Sequence, residues 1–166
     1  MIATDVEVCN QALFALGANP IVTMTEDSPS SKPCLQFYAS TLDEILAEYP
    51  WNCATARIAL TAHVGTIYTN WLYKFDLPTN PYCLRVLALL DFEGATYAEL
   101  KNEPYEIEAR LLLCNLEKVG IKYIARPVDI ADVSDLDSWV VDLLVYRLAS
   151  KLSVRVGNKK PAEMYQ

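Results

Sequence analysis

Residues 44–60, EILAEYPWNCATARIAL, open as an amphipathic helix and then meet Pro50, Trp51 and a run of small residues. Proline brings no N–H to the helix ladder and pushes the residue before it out of the helical region, so Tyr49-Pro50 is a stop signal. The indole that follows is expected as a core anchor that plugs the corner. Ala54 to Leu60 then lead the chain out of a helical region towards strands. The stretch reads as a junction, not as a binding surface.

Upstream of it, TDVEVCNQALFALG (4–17) has Thr4 and Glu7 at capping-box spacing, Val6, Cys9, Leu13 and Leu16 at helical spacing, and Gly17 as a stop. A loop with three prolines, ANPIVTMTEDSPSSKP (18–33), leads to a second helix. Leu35, Tyr38, Leu42, Ile45 and Tyr49 form its apolar stripe, with Asp43, Glu44 and Glu48 mostly away from it.

Downstream the period changes. NWLYKFDLP (70–78) alternates Trp71, Tyr73 and Phe75 against Leu72, Lys74 and Asp76, as a half-buried strand does. CLRVLALLDF (83–92) is apolar on both faces, and YEIEARLLLC (105–114) and GIKYIAR (120–126) alternate again, with NLEKV (115–119) expected as the loop of a hairpin between them. Pro78, Pro81 and Pro104 fall at segment ends, where a ladder tolerates them.

Helical spacing returns in SDLDSWVVDLLVYRLASKLSVRV (134–156) through Leu136, Trp139, Val140, Leu143, Leu144, Leu148 and Leu152. Asp135 and Asp137 near its start and Lys151 and Arg155 near its end complement the helix dipole. Helices therefore bracket a β segment. The expected class is α+β: a split α-helical bundle (1–57 and 128–166) with an inserted antiparallel β subdomain (58–127). The closing GNKKPAEMYQ (157–166), with Pro161 placed to open another helix, reads as a truncated end.

The 166 residues, 52% hydrophobic and 21% charged, fit one soluble globule. Twenty-one acidic against 14 basic residues give a net charge of -7, so stable wrapping of nucleic acid is not expected. The five cysteines, at 9, 34, 53, 83 and 114, form no C-x-x-C pair and read as reduced, buried small hydrophobes. The start lacks the basic region of a signal peptide, and the uncharged run from Ile58 to Tyr73 is too short for an ordinary membrane span.

Chemistry is scarce. The one histidine, His63, has no His or Cys at metal-ligand spacing, so a structural or surface role is expected of it. Neither a phosphate-binding glycine loop nor a G-x-S-x-G elbow occurs. Glu106 and Glu108 share one strand face, and Asp129, Asp132, Asp135 and Asp137 cluster without the glycine and terminal glutamate of an EF-hand loop. Solvated charge, capping and dipole compensation account for them. Arg57, Arg85, Arg110, Arg126, Arg147 and Arg155 are spread singly, which suits ion pairs at subunit contacts. No catalytic, cofactor-binding or metal residue is assigned.

Five segments in order resemble one family, the tail tubular protein A or head-to-tail adaptor of short-tailed bacteriophages. CNQALFALGANPI (9–21) resembles its first helix and Leu-Gly turn, and residues 28–60, from SPSSKPCLQFY to the junction above, its second helix with Pro-Trp, Ala, Arg and Leu following. YKFDLPTNPYCLRVL (73–87) resembles its Leu-Pro and Leu-Arg-Val region, EIEARLLLCNLEKVGIKYIARPVD (106–129) its late hairpin, and LLVYRLASKLS (143–153) the helix after it. Cys53 stands where the family has a larger apolar residue, Asn80-Pro81-Tyr82 lengthens a turn, and the family's terminal helix has no counterpart up to Gln166.

The resemblance implies a structural virion protein without a cofactor. It implies a homo-oligomeric ring, typically a dodecamer, between the portal protein and the tail nozzle protein, through which DNA passes without specific binding. Such a chain is made in the host cytoplasm, resides at the head-to-tail interface, and is expected to stay monomeric or weakly associated until the portal templates the ring. The competing reading is a glycan-cleaving virion enzyme using a carboxylate pair; a third is a small monomeric binding module.

Overall fold

The computed structural model describes residues 4–65, 70–91 and 98–156. The fold is mixed α+β, with three α-helices and two antiparallel sheets among the described residues. The chain divides into two compact units, one made of the residues up to Tyr49 together with those from Asp129 onward, the other of Pro50–Val128. Residues 50–57, expected to close the first helical part, thus lie in the second unit, as does Val128. The helix expected to open at Pro161 lies outside the described residues, as do part of the uncharged run (66–69) and Phe92.

In the helical unit, α1 (Asp5–Ala15) starts on a complete capping box: the Glu7 N–H donates to Thr4 Oγ1 at 3.3 Å and the Thr4 N–H to Glu7 Oε2 at 3.1 Å. It ends in a Schellman turn, with Gly17 at φ 67°, the Gly17 N–H donating to the Phe14 carbonyl and the Ala18 N–H to the Leu13 carbonyl. Asn10 fixes the following loop by bonding both the N–H and the carbonyl of Ile21, at 2.8 and 2.9 Å.

Helix α2 (Ser31–Glu48) stops where Tyr49 turns extended before Pro50. Its buried face is Cys34, Tyr38, Thr41, Leu42, Ile45 and Leu46, while Leu35 and Tyr49 are 55% and 53% exposed. The packed stripe is therefore rotated from the expected one. Cys34 and Thr41 are small enough for close helix approach, and Thr41 satisfies its hydroxyl on the Phe37 carbonyl at 2.6 Å.

Helix α3 (Ser138–Ser153) packs on both α1 and α2 through Val140, Val141, Leu144, Val145, Leu148 and Leu152. Trp139, expected on that stripe, points to solvent. Tyr38 closes the unit by donating its hydroxyl to the Ile130 carbonyl at 2.9 Å.

The second unit opens with Trp51 and a 3-10 turn, Asn52–Ala54, braced by the Thr55 hydroxyl on the Trp51 carbonyl at 2.7 Å. Trp51 is half-buried rather than a full core plug; Ala54 is the buried residue of the corner. Strands β1 (Thr55–Ala59), β2 (Tyr73–Asp76), β3 (Cys83–Asp91), β4 (Ala98–Leu100), β5 (Tyr105–Glu108), β6 (Leu111–Cys114) and β7 (Gly120–Ala125) form sheets of order β1-β7-β3-β4 and β2-β6-β5. Past β1, Ala62 bridges Phe75 and the His63 N–H donates to the Lys74 carbonyl at 2.9 Å, so residues 61–63 run along the free side of β2.

The expected β6–β7 hairpin is not formed. YEIEARLLLC is itself the hairpin, β5–β6, turning through Ala109 and Arg110 at φ 44° and 69° with Glu108 opposite Leu111. Strand β7 pairs instead with β1 and β3 in the other sheet. Positive φ at both turn residues matches the twist of a two-residue hairpin. The core of this unit gathers Phe75, Leu89, Leu112, Ile121 and Tyr123.

Candidate functional site

The second unit carries a cleft of about 560 Å³ lined by β1 and its continuation, by His63 and Asp76, by Leu77–Thr79 and by residues 109–111. Its walls follow from the pairing above. The Asp76 N–H donates to the Thr61 carbonyl at 3.3 Å, which brings the His63 and Asp76 side chains to one end with Nδ1 and Oδ1 2.8 Å apart.

At the other end Arg110 is a clamp. The positive-φ turn aims its guanidinium at the β2–β3 loop, where Nη2 donates to the Pro78 carbonyl at 2.7 Å and Nη1 to the Cys83 carbonyl at 3.1 Å. Its plane lies 3.9 Å from the Tyr82 ring centroid, and the Arg126 guanidinium lies 4.9 Å from the same centroid. The Leu77 N–H donates to the Arg110 carbonyl at 3.0 Å, so side chain and backbone of one residue hold both flanks of the loop that contains the cis Asn80-Pro81 bond.

An imidazole held by a carboxylate through Nδ1 has the geometry of a base and its orienter; among the described residues the hydroxyls that line the cleft are those of Thr61 and Thr79, and no serine or cysteine lines it. None of the five thiols lines the cleft. Cys9 hydrogen-bonds Cys34 in the helical core, and that bond together with burial holds the Cys9 thiol far above its ordinary range. Burial pushes Cys83 and Cys114 up as well.

The other residues singled out in sequence scatter. Glu106 and Glu108 are exposed on β5, and Glu106 accepts the Trp71 indole N–H at 3.0 Å. Asp129 and Asp132 are spent on turns, accepting the N–H groups of Ala131 and Ser134, both at 2.9 Å. The Ser134 side chain, then its N–H, hold Asp132 below the usual carboxylate value. Asp137 caps α3 through its backbone, with no side-chain cap bond. Arg147 is tied to Glu48 at 2.7 Å. Arg57, Arg85 and Arg155 are exposed.

Sequence reasoning missed the pairing of His63 with Asp76 and the Arg110 clamp. Both depend on strand register, for which a lone His and a lone Arg carry no signal. Among the described residues no group of His, Cys, Asp and Glu could hold a metal ion, and no helix is long and apolar enough to cross a membrane. The chain matches no protein-family model and no curated relative.

Proposed function

We propose that the chain is a head-to-tail adaptor of a short-tailed bacteriophage virion: one copy of a ring seated between portal and tail nozzle, forming part of the DNA conduit. In this reading the helical unit is a split bundle and the β unit its insertion. What carries it is order. The five resembling segments fall in sequence on α1, on α2 through β1, on β2 and β3, on β5 through β7, and on α3.

The surface supports the same reading. Phe14, Trp139 and Tyr146 stand 85%, 80% and 62% exposed around a well-packed helical core, and Trp and Tyr are the side chains that dominate protein interfaces. The net charge of -7 suits a channel that DNA must slide through without adhering.

Cryo-electron microscopy of the assembled particle tests the reading: a ring of this chain beneath the portal is expected, and its absence from that position overturns the proposal. Turnover of peptidoglycan or polysaccharide by the purified chain, abolished by a single Asp or Glu substitution, would put the glycan-cleaving enzyme in its place.

A further inference from the structure

We propose that the outward face of α3 is a docking surface for an arginine-bearing segment of a second protein, different in sequence from this chain. Trp139, Asp142 and Tyr146 recur at intervals of three and four residues and so share one helix face. The opposite face already supplies the core contacts, so the indole and phenol contribute little to folding. Beside Trp139 lies a cleft of about 460 Å³ lined by Asp135, Asp137 and Asp142 with Leu136 and Val141 and, among the described residues, by no lysine or arginine.

Those three carboxylates differ from their neighbours. Asp129 and Asp132 are consumed by turns, whereas Asp135, Asp137 and Asp142 have no side-chain hydrogen bond or ion pair among the described residues, and neither do Trp139 and Tyr146. An exposed indole flanked by unspent carboxylates calls for a planar cation. Guanidinium stacks on the ring and donates in pairs to a carboxylate, which ammonium does not.

Charge complementarity also selects the kind of partner. Lys32, Lys122, Arg147 and Lys151 are each held by a carboxylate of this chain, at 2.6 to 2.8 Å, and Arg110 by two carbonyls. A second copy carries the same net charge of -7, so on balance it meets the acidic face with like charge even though Arg57 and Arg155 are exposed; a protein of other sequence does not share that limit. The inference deepens the adaptor reading by naming where the chain would grip a non-identical neighbour, and rests on that reading only for the neighbour's identity.

The test uses two labelled synthetic peptides, identical except that one carries arginine wherever the other carries lysine, titrated at low ionic strength against the whole chain by fluorescence anisotropy. The arginine peptide is expected to bind about tenfold more tightly, an advantage that Trp139→Ala removes. The pair Asp137→Asn with Asp142→Asn is expected to weaken both peptides. The pair Glu103→Gln with Glu117→Gln, which removes the same charge from exposed positions of the other unit, is expected to leave both unchanged. All these side chains are exposed, and circular dichroism verifies that each variant folds.

Equal affinity for the two peptides, indifference to Trp139→Ala, or equal weakening by the Glu103/Glu117 pair overturns the inference. So does self-association of the chain that Trp139→Ala abolishes, because the occupant is then a second copy. A ring in the particle alongside a failed peptide preference sinks this inference alone; the preference without a ring sinks only the adaptor reading.

Discussion

In the β unit the aromatic rings Phe75 and Tyr123 stand at the centre of the core, each 1% exposed; in the helical unit the centre is aliphatic around Tyr38, and Phe14, Trp139 and Tyr146 are turned outward. A sheet presents a broad face that large rings fill, whereas three helices approach closely through Cys34, Ala12, Thr41 and Ala149, leaving no room for more rings. The difference separates two uses of one residue type. Rings inside hold the fold, and rings outside are available to a partner.

The largest effect that can break this comparison comes from truncating one ring in each unit. Phe75→Ala is expected to cost about 3 to 5 kcal/mol, the range for deleting a buried aromatic, while Trp139→Ala stays within about 0.5 kcal/mol. Urea unfolding of the two variants decides it, and equal losses would mean that Trp139 is structural after all.

Next in size is the clamp peculiar to the β unit. Arg110→Ala removes two charge-assisted bonds to the Pro78 and Cys83 carbonyls and the stacking on Tyr82, an expected loss of about 2 to 3 kcal/mol. Arg110→Lys should recover little of it, since one ammonium cannot reproduce the fork. Full recovery with lysine would show that charge alone holds the loop.

The helical unit's own local device is worth less. Thr4→Ala, which breaks the capping box, is expected to cost about 1 kcal/mol in thermal unfolding. No change would mean that the first turn of α1 is held by the Asp5 N–H on the Ala131 carbonyl instead.

The smallest effect concerns pH. Glu99 titrates below its ordinary value because Lys122 donates to it at 2.8 Å. A carboxylate depressed in the folded state lends stability above its unfolded pKa and loses it as pH falls through the folded one. Glu99→Gln is therefore expected to lower stability slightly at neutral pH and to match wild type well below the folded pKa, which flattens the acid side of the profile. A variant whose acid slope matches wild type would leave the Lys122 contact without a role in stability.

What could be read from residues alone was whatever the chain settles locally. Helix bonds join residues four apart, so Thr4 and Glu7, Gly17 and Tyr49-Pro50 announced the ends of α1 and α2, and the apolar spacing announced α3. Even there the face was not fixed. Leu35 and Trp139 are apolar enough for the core, and only the fit of three helices turned them out in favour of smaller neighbours.

Strand pairing lies outside what a segment can state about itself. Thr55 meets Ile124 and Tyr73 meets Cys114 across most of the β unit, and nothing in either strand names its partner. The Ala109-Arg110 turn lacks the glycine or asparagine that usually marks positive φ, so the β5–β6 hairpin was hidden inside what looked like one long strand. The His63–Asp76 pair and the Arg110 clamp inherit that blindness, because both exist only once register has brought distant residues together. The sequence by itself determined both ends of α1 and the stop of α2, while α2 begins at Ser31 inside the stretch read as loop and α3 covers only Ser138–Ser153 of the stretch read as helix. Tertiary packing alone decided which side chains meet, since those contacts are made by residues that the chain keeps far apart.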